Sequence, residues 1–107
     1  VHPDDERYAA LVGRDLALPI ANVRIPVIAD TYVDLDFGSG AVKITPAHDP
    51  NDFEVGTRHA LPMPVIMSPE GRMQGAGDAA ERVPEALRGV DRFEARTAIV
   101  AQLEALG

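Results

Sequence analysis

A chain of 107 residues with 46% hydrophobic and 25% charged residues has the composition of a folded globular domain, which excludes a disordered tail. The absence of cysteine excludes a disulfide framework, a thiolate metal site and a thiol nucleophile, and it favours a cytoplasmic location. The net charge of −7 excludes general binding of nucleic acid by a basic surface, so we expect any nucleic acid to be held mainly by other parts of a longer protein.

The chain shows no sign of a membrane span or a leader peptide. No apolar run approaches the roughly 20 residues that a spanning helix needs, and residues 1–6 lack the basic and apolar regions of a signal peptide. Because the chain begins without methionine, we expect a segment of a longer protein that comprises one domain or part of one.

The first third of the chain predicts a short helix followed by short strands. Pro3 suits the first position of a helix over residues 3–12, acidic residues follow in its first turn, and Gly13 can end it. Short apolar runs over residues 16–29, interrupted by two prolines, predict two or three strands with the prolines at edges or bends.

Residues 41–45 predict a strand that leads directly into a helix. Alternation along that strand places Lys43 and Thr45 on the same face. Asp49, followed by a proline, marks the start of a helix that we expect to run to about residue 60.

The last third predicts one more strand and a long helix. Residues 63–68 form the strand candidate, and a turn follows that returns through Met73. A helical turn over residues 84–88 and a capping box at Asp91 precede a helix that ends at Gly107. We expect the buried stripe of this helix to consist of Phe93, Thr97, Val100 and Leu103.

Polar side chains are concentrated at the junction of the central strand and helix, where we expect the chemistry. They are Lys43, Thr45, His48, Asp49 and Asp52. Taken singly, each has an ordinary structural role, above all the two aspartates, which suit the cap and the first turn of a helix. A helix N-terminus rich in carboxylates can also present one of them to the ammonium group of a ligand, through a short, strong hydrogen bond.

Other motifs are weak. Residues 38–40 resemble half of a phosphate loop without its remaining glycines and its basic residue, although Gly40 would let the backbone approach a ligand closely. The three histidines lack the spacing of metal ligands, so we assign no metal. No serine has a suitable histidine and acid, which leaves acyl-enzyme chemistry without a candidate.

Four stretches of sequence resemble the editing domains of valyl-tRNA synthetases. They are residues 38–56 (GSGAVKITPAHDPNDFEVG) with 58–59, and the flanking residues 1–8 (VHPDDERY), 25–30 (IPVIAD) and 89–96 (GVDRFEAR). The resemblance covers nearly the whole chain, and the central motif reads differently in isoleucyl and leucyl enzymes. Ser39 stands where threonine is commoner in the family, a change that keeps the hydroxyl group.

The resemblance implies a mainly β fold with flanking helices (α+β), built around a distorted β-barrel of the valyl, isoleucyl and leucyl editing-domain type. It implies a single editing domain over residues 1–107 that lacks, on its N-terminal side, the threonine-rich segment forming another wall of the family's pocket. The implied reaction is post-transfer editing, in which threonine wrongly esterified to tRNA(Val) is hydrolysed. An apolar pocket cannot strongly reject a near-isostere that adds only a hydroxyl, so a second, polar pocket is needed. We expect the isolated chain to have little or no deacylase activity.

The same resemblance implies roles for individual residues and partners. Asp52 matches the aspartate that binds the α-ammonium of the substrate. The predicted catalytic residues are Asp52, Lys43, Thr45 and Asp49, and the predicted substrate-binding residues are these four with Gly40 and His48. The implied nucleophile is water, positioned by the pocket and the terminal ribose hydroxyl, without a metal or a covalent intermediate. We expect no cofactor in this domain, ATP in the separate catalytic domain of the parent enzyme, and as partners the aminoacyl end of tRNA(Val), threonyl-tRNA and the rest of the synthetase chain.

Two alternatives remain open from the sequence. The first is a related editing domain that acts on isoleucine or leucine tRNA. The second is a non-catalytic acidic module whose polar cluster only caps a helix.

Overall fold

Two helices and one two-stranded sheet make up most of the regular structure in the computed structural model, which describes all 107 residues. The elements are β1 (Asp15–Ala17), β2 (Arg24–Pro26), α1 (Pro50–Arg58) and α2 (Arg92–Leu106), with short 3-10 helices at Ala9–Leu11, Gly77–Ala79 and Glu85–Leu87. The chain forms two compact units, one of residues 1–16 and 24–63 and the other of residues 17–23 and 64–107. The predicted α+β class is confirmed. Neither helix has the length and apolar character needed to cross a membrane.

The sheet is open, and this is where the structure departs most from the expected architecture. β1 pairs with β2 alone, as an antiparallel hairpin, so two strands form where two or three were predicted, and the mainly β distorted barrel is not observed. A barrel requires strands that pair on both sides until the sheet closes. Nine prolines, one of which ends β2, remove backbone donors that such pairing would need.

The predicted helix over residues 3–12 is wrong. Its backbone instead follows successive tight turns, in which the amides of Asp5, Tyr8 and Leu11 each bond to the carbonyl three residues earlier. Only Ala9–Leu11 qualifies as a 3-10 helix. The carboxylate of Asp5 also accepts from the backbone N–H of Arg7, and such local side-chain bonds compete with a regular helix.

Two further predicted strands do not form. Residues 41–44 make no backbone–backbone hydrogen bond and have no strand assignment. Residues 63–68 form only an isolated antiparallel bridge, between Met67 and Met73. Beside it, Gln74 N donates to Ile66 O and Ser68 N donates to Arg72 O, both at 2.8 Å. That bridge confirms the predicted turn and the return of the chain through Met73.

α2 confirms the predicted helix but not its predicted buried stripe. Phe93, Val100 and Leu103 are 55%, 48% and 43% exposed, and Thr97 is exposed as well. The helix packs instead through Ala95, Ala98 and Ile99 in its first half, against the core cluster of Ala79, Val83 and Leu87. Short side chains permit this close approach, and the ring of Phe93 lies under the guanidinium groups of Arg92 and Arg96, at 4.5 and 5.7 Å.

This arrangement predicts different costs for two leucine truncations in the same unit. Leu87→Ala should lower the free energy of unfolding by about 2–3 kcal/mol, because Leu87 is 6% exposed and its loss leaves a cavity in the core. Leu106→Ala should change it by less than about 0.5 kcal/mol, because that side chain is 68% exposed. Urea unfolding followed by circular dichroism measures both, and equal costs would contradict the observed packing of α2.

Candidate functional site

Asp49 caps the N-terminus of α1. Its Oδ1 accepts hydrogen bonds from the backbone N–H groups of Asn51 at 2.8 Å and Asp52 at 3.2 Å, which are donors that no helical carbonyl can satisfy. Pro50 at the first helical position needs no donor partner of its own. The start predicted for this helix is therefore confirmed, and the structural role of Asp49 is that of an N-cap.

Asp52, in the first turn of α1, joins the helix to the segment that precedes it. Its Oδ2 accepts from the backbone N–H of Thr45 at 2.8 Å and from the Thr45 hydroxyl at 3.3 Å. Lys43 Nζ donates to the same hydroxyl oxygen at 3.0 Å. The structure thus places Lys43, Thr45 and Asp52 in one hydrogen-bonded chain, although the strand from which a shared face of Lys43 and Thr45 was expected does not form.

The carboxylate of Asp52 keeps one oxygen accessible. Both of its hydrogen bonds end on Oδ2, and no buried side-chain nitrogen or oxygen in the structure lacks a hydrogen-bond partner. Oδ1 accepts no hydrogen bond, so it is not a fully buried atom, and part of the 6% exposure of Asp52 lies at Oδ1. This site therefore presents a single carboxylate oxygen, held in place by the bonds to its neighbour.

Asp52 also differs from the two other buried aspartates in its lack of a cationic partner. Asp5 pairs with Arg7 at 2.7 Å, and Asp30 pairs with Arg58 at 3.0 Å and with His59 at 2.8 Å. No lysine, arginine or histidine nitrogen lies within ion-pair distance of Asp52. Burying a carboxylate costs free energy when no cation pairs with it. Asp52 is therefore suited to bind a cationic group of a ligand.

Close packing holds α1 against the end of the preceding segment. Val55 is 1% exposed, and a Cβ atom added at Gly56 would lie 2.6 Å from the ring of Pro46. A side chain at position 56 would push the helix away from that segment. Gly56 therefore contributes to the geometry that brings Asp52 to Thr45.

Two further predicted site residues, Gly40 and His48, lie in the turns before and after the segment that carries Lys43. Gly40 has φ +75°, and a Cβ atom there would lie 2.9 Å from Asp5 Oδ2 and would meet the guanidinium of Arg7. The backbone of Gly40 therefore lies close to the ion pair of Asp5 and Arg7. The backbone N–H of His48 donates to Thr45 O at 3.0 Å, which closes the turn before α1. Contact of either residue with a ligand stays a prediction.

Asp30 is a structural centre that sequence reasoning missed. It receives hydrogen bonds from Arg58 Nε at 3.2 Å and Nη2 at 3.0 Å and from the Tyr32 backbone N–H at 2.8 Å, and it contacts His59 Nε2 at 2.8 Å. The hydrogen bonds from Arg58, with that of Tyr32, hold the pKa of this carboxyl far below its usual range. Asp30 lies 28 residues from Arg58 in the sequence, so no local pattern could indicate the pairing.

Phe37 is the second feature that the sequence did not single out. Its side chain is 79% exposed, more than any other large hydrophobic residue, and its carbonyl accepts from Gly40 N at 3.1 Å in the turn before Lys43. An exposed aromatic ring offers a stacking surface for a nucleobase. No group of three or more histidine, aspartate or glutamate residues is arranged to hold a metal ion.

Comparisons with known proteins agree with the resemblance found in the sequence. A family model described as the leucyl-tRNA synthetase editing domain matches residues 3–98. Over its whole length the chain is 54% identical to a valine–tRNA ligase of Treponema denticola and 58% identical to one of Latilactobacillus sakei subsp. sakei. Over 96% of its length it is 55% identical to a valine–tRNA ligase of Nocardia farcinica. The chain spans 11% of the length of each of these relatives.

The ion pairs of Asp30 predict a pH-dependent contribution to stability. Because its pKa is lowered on folding, Asp30 stabilises the fold above the pKa of about 4 that an unfolded aspartate has, and this contribution declines as the pH falls towards the lower folded value. Asp30→Asn should cost about 2 kcal/mol at pH 7, and the difference from the wild type should narrow below about pH 4. Urea unfolding at several pH values measures this, with Asp15→Asn on exposed β1 as the control. A difference that did not vary with pH would contradict the assignment.

The contact between Gly56 and Pro46 predicts an effect opposite to helix propensity. Alanine forms helices better than glycine by about 1 kcal/mol, so propensity alone predicts that Gly56→Ala stabilises the chain. The contact with Pro46 instead predicts a net loss of about 1–2 kcal/mol. Thermal unfolding distinguishes the two signs, and Glu54→Ala, at an exposed position of the same helix, serves as the control.

Proposed function

Because this chain belongs to the leucyl-tRNA synthetase editing-domain family, we propose that it is the editing domain of a valine–tRNA ligase and that it hydrolyses threonine wrongly esterified to tRNA(Val). The three relatives compared above, each more than half identical to it, are valine–tRNA ligases, which supports the choice of tRNA. Threonine is the expected error of a valine pocket, because the two side chains have nearly the same shape.

The observation that carries this proposal is the state of the Asp52 carboxylate. Oδ2 is held by Thr45, Oδ1 is accessible, and no cation of the chain forms a direct ion pair with the group. An aminoacyl ester carries a free α-ammonium group, which would supply the missing positive charge in a charge-assisted hydrogen bond. A carboxylate whose position is set before the ligand arrives also fixes the orientation of the ester.

Lys43 and Thr45 are suited to the reacting end of the substrate. One N–H of the Lys43 ammonium is used by the Thr45 hydroxyl, and two remain for the ester carbonyl oxygen. Attack of water on that carbonyl places negative charge on the oxygen, which a neighbouring ammonium stabilises. The bond between the acyl carbon and the ribose oxygen then breaks, the ribose oxygen takes up the proton that the attacking water has lost, and free threonine leaves.

The remaining predicted residues would complete the pocket. Asp49 uses Oδ1 for the helix cap, so its second oxygen is the one we assign to the threonine hydroxyl or to the attacking water. A pocket that forms hydrogen bonds to this hydroxyl prefers threonine to valine, because bound valine would leave the polar groups of the pocket unpaired. This preference is opposite to that of the apolar synthetic site. We place Gly40 and His48 at the edge of the pocket and Phe37 against the terminal nucleobase.

This function implies that editing, ATP use and most of the binding of tRNA belong to different parts of the parent enzyme. We propose that the editing reaction needs no cofactor, that ATP is used in a separate catalytic domain, and that the protein acts in the cytoplasm. A net charge of −7 suggests that other parts of the synthetase supply most of the affinity for tRNA. In that setting, further strands from the parent would complete the distorted barrel around the open sheet.

Editing of a leucine or isoleucine tRNA is the second candidate. The description of the matching family model favours it, whereas the identities to valine–tRNA ligases favour threonyl-tRNA(Val). Deacylation assays of the parent enzyme decide between them, with threonyl-tRNA(Val) and mischarged isoleucine and leucine tRNAs as alternative substrates.

The proposed function predicts a specific requirement for the charge of Asp52. Asp52→Asn keeps an oxygen that can accept from the Thr45 backbone but removes the negative charge. In the full-length synthetase it should lower kcat/KM for hydrolysis of threonyl-tRNA(Val) at least about tenfold, the loss expected for one charge-assisted hydrogen bond, and mischarged tRNA should accumulate. Steady-state deacylation of preformed threonyl-tRNA measures the effect.

Glu54→Gln is the matched control, because it makes the same charge change at an exposed position of α1. It should leave deacylation within about twofold of the wild type, as expected for a surface substitution. If Asp52→Asn also kept full activity, the chain would be a non-catalytic acidic module in which the polar cluster only supports the helix.

A further inference from the structure

The segment that carries Lys43 has no regular structure of its own to fix its position. Residues 41–44 make no backbone–backbone hydrogen bond, and Val42 is 44% exposed. At its far end the segment is tied to α1, because Thr45 N donates to Asp52 Oδ2 at 2.8 Å. The place of the Lys43 ammonium therefore depends on how the near end of the segment is held.

The near end is a turn over residues 35–40, and two side chains from the start of the chain bind it. Tyr8 OH donates to Ser39 O at 2.8 Å, and Arg7 Nη2 donates to Leu35 O at 3.3 Å. These bonds reach across 31 and 28 residues of sequence, so they join parts of the chain that local structure does not connect. Within the turn, Gly40 N donates to Phe37 O at 3.1 Å.

A buried carboxylate holds Arg7 in the orientation that this contact needs. Asp5 is 4% exposed and accepts from Arg7 Nε at 2.9 Å and from Nη2 at 2.7 Å, a two-point pairing that fixes the plane of the guanidinium. The hydrogen bond from Arg7 lowers the pKa of the Asp5 carboxyl. Gly40, with φ +75°, leaves room for this pair, because a Cβ atom there would meet both side chains.

We propose that Asp5, Arg7 and Tyr8 are positioning residues of the editing site: they hold the start of the segment whose end is held by Asp52, and so place the Lys43 ammonium. This inference rests on the proposed function, which assigns the ammonium to the ester, and adds three residues to the site that touch no substrate. Tyr8 is the most direct test, because its hydroxyl makes one hydrogen bond and its ring can stay in place.

The experiment uses the full-length synthetase with Tyr8→Phe and, separately, Arg7→Lys. The controls are Tyr32→Phe, at the chain's other tyrosine, and Arg14→Lys, at an exposed arginine. The first readout is hydrogen exchange of a peptide covering residues 37–45, measured by mass spectrometry. Tyr8→Phe and Arg7→Lys should accelerate exchange of the Gly40 and Ala41 amides about three- to tenfold, the factor expected for one lost hydrogen bond, and the controls should not.

The second readout is deacylation of threonyl-tRNA(Val) in a double-mutant cycle. Tyr8→Phe should lower kcat about three- to tenfold and leave KM within about twofold, because it displaces a group that acts in the chemical step. In a Lys43→Ala background the same change should have almost no further effect, since the group that it positions is gone. A purely structural role would lower kcat equally in both backgrounds.

Unchanged exchange in Tyr8→Phe and Arg7→Lys, or a loss of kcat that persists in full without Lys43, would overturn the inference. These outcomes are separable from failure of the proposed function, which Asp52→Asn reports. If that variant keeps full editing activity, the reaction assignment falls, and accelerated exchange of residues 37–45 would still support the anchoring of the turn by Arg7 and Tyr8.

Discussion

The hydrogen bond from Thr45 N to Asp52 Oδ2 is the interaction on which the candidate site depends. Thr45 follows a segment without strand partners, so its backbone N–H would have no acceptor within the chain if the side chain of α1 did not accept from it. The carboxylate gains a fixed position from the same bond. Helix and segment thereby form one unit, in which Lys43, Thr45 and Asp52 lie in contact.

The three buried aspartates show how an acidic chain can separate structural from functional carboxylates. Asp5 pairs with Arg7, Asp30 pairs with Arg58 and also contacts His59, and both carboxyls have lowered pKa values. Such fully paired carboxylates hold segments together and have little capacity left for a ligand. Asp52 is bound only by neutral donors, which leaves its charge available to an incoming cation.

The sequence was most informative where local chemistry decides the structure. The Asp49 cap, α1 and the start of α2 at Asp91 depend on residues adjacent in the chain, and all three are confirmed. The predicted helix over residues 3–12 failed because Asp5 bonds to Arg7 instead of supporting a helix, and the strand over residues 41–45 failed because pairing needs a partner that composition cannot reveal. The buried side predicted for α2 was also wrong, because the helix packs through small residues and not through the larger apolar ones.

In the site, the contact of Lys43, Thr45 and Asp52 was predictable, because these residues are close in sequence. The contacts of Asp30 and of Tyr8 join residues far apart in sequence, which no local pattern indicates.

The most direct test of the central claim is a crystal structure of the parent synthetase with a non-hydrolysable threonyl-adenosine analogue in which an amide replaces the ester. If Asp52 binds the substrate ammonium, the α-ammonium of the analogue lies within about 3 Å of Asp52 Oδ1 while Oδ2 keeps its bond to Thr45. An analogue bound with its ammonium on another carboxylate, and Asp52 contacting only Thr45, would contradict it.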